Sequence, residues 1–317
     1  MQYETLQPII TAVEQACALT KRIQAAHLMV QHDKKGSPVT IGDYGAQAIL
    51  GRTLHQHFPN EGVIAEESGQ QFLELVPPHQ RAQVVQLVSE TLGETVTEAQ
   101  IVQWLDQGRD VQSERVWMID PIDGTKGFLA GRCYAVAVGI VVGSCAVAGI
   151  MGSPNYIAQK QQGMLFLAYD GHAYRRPLNS QQWQPIHVSD RTAPNQVIIT
   201  EGVEDSNVDR SLMHHIYKTL GWSYESTLQV DGMDKYGIVA SGEADVYLRI
   251  PNDHRRRANV WDHAAGVAIL EAAGGKVTDR EGNPLNFAER PVMHSAEFVI
   301  VTNGRLHDQV LGILAEV

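Results

Sequence analysis

This sequence predicts two packed lobes that mix helices and strands, the second of them a layered α/β unit. Three observations carry the prediction. With 317 residues and 44% hydrophobic content, the chain can bury a large core, and its length lies between one large domain and two modest ones. Its first half combines long helical patterns with short apolar runs of strand length. Beyond about residue 187, strand-like and helix-like runs alternate, as in a sheet layered with helices. The boundary placed there gives an N-terminal lobe of residues 1–187 and a C-terminal lobe of residues 188–317.

Taken in order, Leu6, Ile9, Ile10, Val13, Ala16, Cys17, Ile23 and Ala26 recur at three- and four-residue intervals, which predicts an amphipathic helix from about Thr5 to Met29. After a turn at Lys34-Lys35-Gly36-Ser37-Pro38, a second helix is predicted from Gly42 to His57, ending before Pro59-Asn60, with Asp43 in its first turn. Gly62 to Ala65 reads as a short strand. Gly69 to Gln112, rich in Gln, Glu and Val, reads as a helical elaboration of the first lobe. Ala135–Val142 and Ala146–Met151, separated by Gly143-Ser144, predict an antiparallel hairpin, and the stretch from Pro177 to Pro185 is loop-like. In the second lobe the expectation is a strand at Val197–Thr200, helices near Ser211–Leu220 and Lys235–Ala240, and a strand at Ala244–Ile250. A helix from Trp261 to Ala273 stopped by Gly274-Gly275, a strand at Phe298–Val301 and a terminal helix follow.

A formal net charge of −11 argues against an extended nucleic acid or an anionic membrane as partner, while a small anion met by local metal ions is compatible with it. Cys17, Cys133 and Cys145 are few, odd in number and without ligand spacing, so they read as ordinary thiols of a reducing compartment. With no leader-like or membrane-spanning run in view, the expected location is cytoplasmic. The sequence does not set an oligomeric state.

The most informative segment is Val116-Trp117-Met118-Ile119-Asp120-Pro121-Ile122-Asp123-Gly124-Thr125. An apolar strand ends in an acid, a proline turns the chain, a second acid follows three residues later, and Gly124-Thr125 opens a helix. Paired carboxylates at a strand end are hard oxygen ligands of the kind magnesium takes. The amides of Gly124 and Thr125 at a helix start suit a phosphate oxygen. A solvated, capped turn would explain this segment equally well on its own. Other acids shift the balance: Glu66-Glu67-Ser68 also follows a strand, and Trp261-Asp262-His263 places an acid at a helix start, where capping alone would otherwise account for it. Glu67 reads as an outward-facing neighbour of Glu66. His214-His215 read as solvated, and the run His254-Arg255-Arg256-Arg257 as a solvated loop, with a supporting positive patch for a doubly phosphorylated ligand as the alternative.

With these residues in hand, the chain resembles the inositol monophosphatase superfamily, whose three signatures match Glu66-Glu67-Ser68, Asp120 to Thr125 and Trp261 to Gly266 in that order. Ser37 to Asp43, Lys126-Gly127-Phe128 and Ala244 to Arg249 are more similar to its 3′(2′),5′-bisphosphate nucleotidase branch. Inositol monophosphatases usually read Thr-Asn-Phe where this chain has Lys126-Gly127-Phe128. The long insert after Ser68 also fits the nucleotidases.

The resemblance implies a layered αβαβα sandwich of the inositol monophosphatase and fructose-1,6-bisphosphatase type, with the active site between the lobes. It also implies two or three Mg2+ ions held by Glu66, Asp120, the carbonyl of Ile122, Asp123 and Asp262. Asp120 would bridge two ions. Asp43 would sit beside Thr125, accept its hydroxyl hydrogen and act with it as the catalytic base, while Gly124 and Thr125 would bind phosphate. Lys235 and Arg249 would meet the rest of a small phosphorylated nucleotide. The implied reaction is hydrolysis of adenosine 3′,5′-bisphosphate to AMP and phosphate, with 3′-phosphoadenylyl sulfate as a second substrate, lithium as an inhibitor and a place in sulfur assimilation. An inositol or sugar phosphatase with the same metal site is the enzyme alternative. A nucleotide-sensing protein without turnover is the other, and the intact set of presumed ligands speaks against it. Two departures concern the nucleoside: Gly232 stands where nucleotidases often carry serine, and the segment Asp205-Ser206-Asn207 lacks their histidine.

Overall fold

The computed structural model describes residues 2–27, 31–34, 37–156, 162–203, 208–253, 255 and 257–316. Helix α1 (Tyr3–Ala25) buries the predicted stripe, with Leu6, Ile9, Ile10, Val13, Ala16, Cys17 and Ile23 all inside. It ends four residues before Met29, which lies outside the described residues with Lys35 and Gly36 of the expected turn. An antiparallel pair, β1 (Gln31–Lys34) and β2 (Ser37–Thr40), leads into α2 (Ile41–His57). Thr40 caps α2 by a capping box with Asp43, and the helix is buried nearly all round. Then come β3 (Gly62–Ala65) and three helices of the expected elaboration, α3 (Gly69–Leu75), α4 (Pro78–Leu92) and α5 (Glu98–Leu105). Gly51 of α2 lies so close to α5 that a Cβ there would fall 2.0 Å from the Trp104 carbonyl oxygen.

The chain continues through β4 (Arg115–Asp123), α6 (Thr125–Leu129) and the predicted hairpin, β5 (Ala135–Val142) and β6 (Cys145–Ser153). Two strands beyond that hairpin, β7 (Met164–Tyr169) and β8 (His172–Pro177), extend the sheet, and the loop-like stretch after them carries only the two-residue β9 (Gln184–Pro185). Among the described residues these form one sheet in the order β3-β4-β5-β6-β7-β8-β9, with β3 parallel to β4 and every other pair antiparallel.

The remaining strands and α-helices among the described residues are β10 (Ile199–Glu201), α7 (Arg210–Thr219), β11 (Leu228–Gln229), α8 (Asp234–Ala240), β12 (Val246–Arg249), β13 (Ala258–Asn259), α9 (Ala264–Ala272), β14 (Lys276–Thr278), β15 (Val292–Met293), β16 (Val299–Thr302) and α10 (His307–Leu314). Helix α9 begins at Ala264 rather than Trp261, so Asp262 sits in the turn ahead of it. A second sheet runs β11-β10-β12-β16-β14.

Helices α1 and α2 cover one face of the large sheet; α8 and α9 lie between the sheets; α7 and α10 back the smaller one. The order is αβαβα, as expected. What allows α9 to approach the large sheet is glycine: a Cβ on Gly139 would lie 2.4 Å from Ala264 Cβ, and one on Gly149 would lie 2.5 Å from the Ala265 oxygen. One apolar cluster therefore joins β5–β7 to α8, α9 and β14 across the two sheets. The turn before α9 is thus fixed against the end of β4.

Candidate active site

The site starts from a register. Ala65 of β3 pairs with Ile119 of β4, and the Glu66 amide donates to the Ile119 carbonyl at 3.2 Å, so Glu66 leaves its strand beside Asp120. In a regular strand Asp120 and Asp123 would point to opposite faces. The β4–β5 pairing shifts between them, where Pro121 has no N–H to give, and this bulge turns both acids into one site. The turn before α9 brings Asp262 to them: carboxylate oxygens of Asp120, Asp123 and Asp262 lie within 4.8 Å of one another. Asp262 also accepts from Asn259 Nδ2 at 3.3 Å. The Ile122 amide donates to Asp120 Oδ1 at 3.2 Å, which fixes the loop that presents the Ile122 carbonyl.

Burial, followed by the charges of Glu66, Asp123, Asp262 and Asp43, pushes Asp120 well above the usual carboxylate range. Asp123 is pushed up to about 7, first by burial and then by Asp262, while Lys235 and the Met233 amide act in the opposite sense. Such crowding of acids is unfavourable unless a cation joins them. The donor set is oxygen only, three carboxylates with a fourth in their field, and it fits a hard divalent ion rather than a soft one.

Asp43 is buried, and its Oδ2 accepts from the Thr40 amide at 2.8 Å and the Thr40 hydroxyl at 2.7 Å. Burial first, then Glu67, raises it to about 7 against the pull of Thr40. The Thr125 hydroxyl donates instead to the Ile122 carbonyl at 3.2 Å. The expected hydrogen bond from Thr125 to Asp43 is therefore replaced: the tight turn gives the hydroxyl the Ile122 carbonyl as its acceptor, and the cap of α2 takes Oδ2 of Asp43. The two segments nevertheless touch, since a Cβ on Gly42 would lie 3.0 Å from Ile122 Cδ1. Gly124, with φ of 88°, caps the short α6.

Glu67 corrects another expectation. It is buried rather than outward-facing, because Gln47 of α2 clasps its backbone, with Glu67 N–H on Gln47 Oε1 at 2.9 Å and Gln47 Nε2 on the Glu67 carbonyl at 2.8 Å. Glu66, half-buried, is the one left to the site.

Lys235 is buried in α8, with Nζ donating to the Val230 carbonyl at 3.2 Å and lying 5.0 Å from the centre of the Tyr247 ring. Arg249, at the end of β12, donates to the carbonyls of Glu297 at 3.4 Å and Arg257 at 3.3 Å. Burial, then the charges of Arg249 and Lys235, hold the His263 imidazole, next to Asp262, well below its ordinary value. His214 and His215 are exposed. Of the basic run, Arg255 pairs with Asp253 and Arg257 donates to the His294 carbonyl, while His254 and Arg256 lie outside the described residues, as do Asp205, Ser206 and Asn207.

Sequence reasoning treated Gly232 only as a departure. Its φ is 64°, and a Cβ there would stand 2.6 Å from the Asp123 carbonyl oxygen, so this backbone admits no serine without moving. The Asp231–Met233 turn packs on Asp123 and Gly124, and Asp231 is tied to Arg132 Nε at 2.7 Å. The Asp-Gly pair is a turn signal that could have been read; its contact with Asp123 is a product of the fold. Missed too was the buried pair of Tyr236 Oη and His263 Nδ1, 2.7 Å apart.

The model of the inositol monophosphatase family matches residues 2–317. Proteins named 3′(2′),5′-bisphosphate nucleotidase are similar over nearly their whole length. That of Schizosaccharomyces pombe is 32% identical, covering 98% of this chain and 95% of the relative. That of Dictyostelium discoideum is 33% identical, covering 95% and 93%. Solved structures share the fold: inositol monophosphatase from Anabaena at TM-score 0.64, 22% identity and coverage of 98% and 95%, and the extragenic suppressor protein suhB from Bartonella henselae at TM-score 0.67, 21% identity and coverage of 98% and 97%. Carboxylate cluster, layer order and full-length match agree, and the chain belongs to the inositol monophosphatase family as one of its phosphatases.

Proposed function

We propose that this phosphatase uses magnesium to remove the 3′-phosphate of adenosine 3′,5′-bisphosphate, giving AMP and phosphate, with 3′-phosphoadenylyl sulfate as a second substrate. The observation that carries the reading is Lys235, a buried cation whose charge acts on Asp123, with Arg249 joining it in acting on His263. A monophosphate held by the acid cluster leaves these cations idle; a bisphosphorylated nucleotide uses both sites. The names of the relatives support the same substrate class.

Glu66, Asp120, the Ile122 carbonyl, Asp123 and Asp262 would hold two or three magnesium ions. When bound, magnesium offsets the acids' charge, attracts the phosphate and acidifies a coordinated water. The amides of Gly124 and Thr125 orient the phosphate oxygens. Asp43 takes the proton of the attacking water through the Thr125 hydroxyl, which must first release the Ile122 carbonyl. Lys235 and Arg249 bind the distal phosphate and hold the ester in line.

The test compares kcat/KM for adenosine 3′,5′-bisphosphate, AMP, inositol 1-phosphate and fructose 1,6-bisphosphate. The first should lead by at least about tenfold, and Lys235→Ala should erase most of that lead, equivalent to about 1.4 kcal/mol or more. Equal turnover of inositol 1-phosphate would transfer the reading to an inositol phosphatase. Tight nucleotide binding without phosphate release would make the chain a sensor.

A further inference from the structure

A cavity of about 410 Å3 adjoins the acid cluster, and neither Lys235 nor Arg249 lines it. Val63 and Leu105 give it apolar wall; Glu66, Arg109, Trp261 and Arg290 also face it. Arg109 is held by the Glu67 carbonyl at 3.0 Å and by Asp106 at 3.3 Å, which leaves its fork only partly used. Arg290 is exposed and has no partner among the described residues. The Trp261 indole nitrogen is buried, also without a hydrogen-bond partner among them. Among the lining residues two guanidinium groups stand against the Glu66 carboxylate, with Asp106 behind Arg109, in a cavity of metabolite size.

We propose that this cavity is a second ligand site, for a small metabolite carrying one anionic group, phosphate or carboxylate, on an apolar body. The guanidinium forks supply donors for the anion, and the aliphatic wall with Trp261 supplies the surface for the body. Glu66 and the neighbour of Asp262 line the cavity, so its occupant and the metal ions act on each other's affinity, reciprocally.

The test measures binding by calorimetry and tryptophan fluorescence on the full chain in chelator, where turnover and metal-held phosphate are both excluded. Phenylphosphonate, which cannot be hydrolysed at its carbon–phosphorus bond, and benzoate are the probes, with uncharged benzyl alcohol as control. At least one anion should bind saturably at one site, and the tighter of the two identifies the group recognised. Arg109→Ala and Arg290→Ala should each weaken it by about tenfold, the scale of one charged hydrogen bond, while Lys235→Ala leaves it unchanged. Trp261→Phe should abolish the fluorescence response. No saturable binding, equal binding of benzyl alcohol, undiminished affinity in both arginine variants, or loss with Lys235→Ala would each overturn the proposal. The measurement is independent of which phosphate ester the enzyme hydrolyses.

Discussion

The Asp43 carboxylate belongs to two arrangements at once: it closes the cap of α2 through Thr40, and it lies in the field of Asp120. Asn at this position keeps an oxygen for the Thr40 amide but cannot take a proton. Asp43→Asn should therefore lower kcat by about 10²–10⁴-fold with its melting temperature close to that of the wild type. Near-wild-type kcat would remove Asp43 from the base role. At this scale the sequence was informative where acids end strands and glycine follows, as at Asp120 to Gly124. It misread Glu67 as outward-facing and gave Gly232 only as a departure, because the clasp by Gln47 and the contact with the Asp123 carbonyl join residues far apart in the chain. It also misassigned the Thr125 partner, since a likeness transfers residues but not which hydrogen bond a hydroxyl makes.

Among elements, the bulge in β4 and the seat of α9 decide whether the acids meet. Ala264 and Ala265 rest on Gly139 and Gly149 with no room for a side chain. Gly139→Val should destabilise the protein by about 1–3 kcal/mol in urea unfolding and weaken magnesium binding, since it displaces the helix that follows Asp262. Unaltered stability would mean that α9 yields easily. Helix α1 was legible from its spacing, α2 from its helical pattern and the stop before Pro59-Asn60, and the β5–β6 hairpin from two apolar runs around Gly143-Ser144. β7 and β8 were not read, and neither was the start of α9 after Asp262, because its buried run is apolar on every side and gives no phase.

For the molecule as a whole, the acids that make the site are a cost to the metal-free fold. Asp43 and Asp123 are raised to about 7 and the buried Asp234 to about 8, against about 3.9 for aspartate in an unfolded chain. Between those values these three groups bind more protons in the folded state than in the unfolded, so their contribution to stability is full below about pH 4 and is lost as pH rises through 7 and 8. In chelator, the melting temperature should fall from about pH 5 to about pH 8. Saturating magnesium should remove most of that fall, because an ion present at about 100 times its Kd adds about 2.7 kcal/mol. A chelated protein that gains stability over the same range would contradict the crowded-acid account. No described helix is long and apolar enough to cross a membrane, and the two sheets share one core through α8 and α9, so loading the site should be felt throughout the fold.

The most direct test of a metal-loaded carboxylate site acting as a phosphatase is the initial rate of phosphate release from adenosine 3′,5′-bisphosphate as magnesium is titrated into chelated enzyme. The rate should rise from baseline to saturation for the wild type and stay near baseline for Asp120→Asn at the same concentrations. Release that is equally fast in chelator, or undiminished in Asp120→Asn, would contradict it.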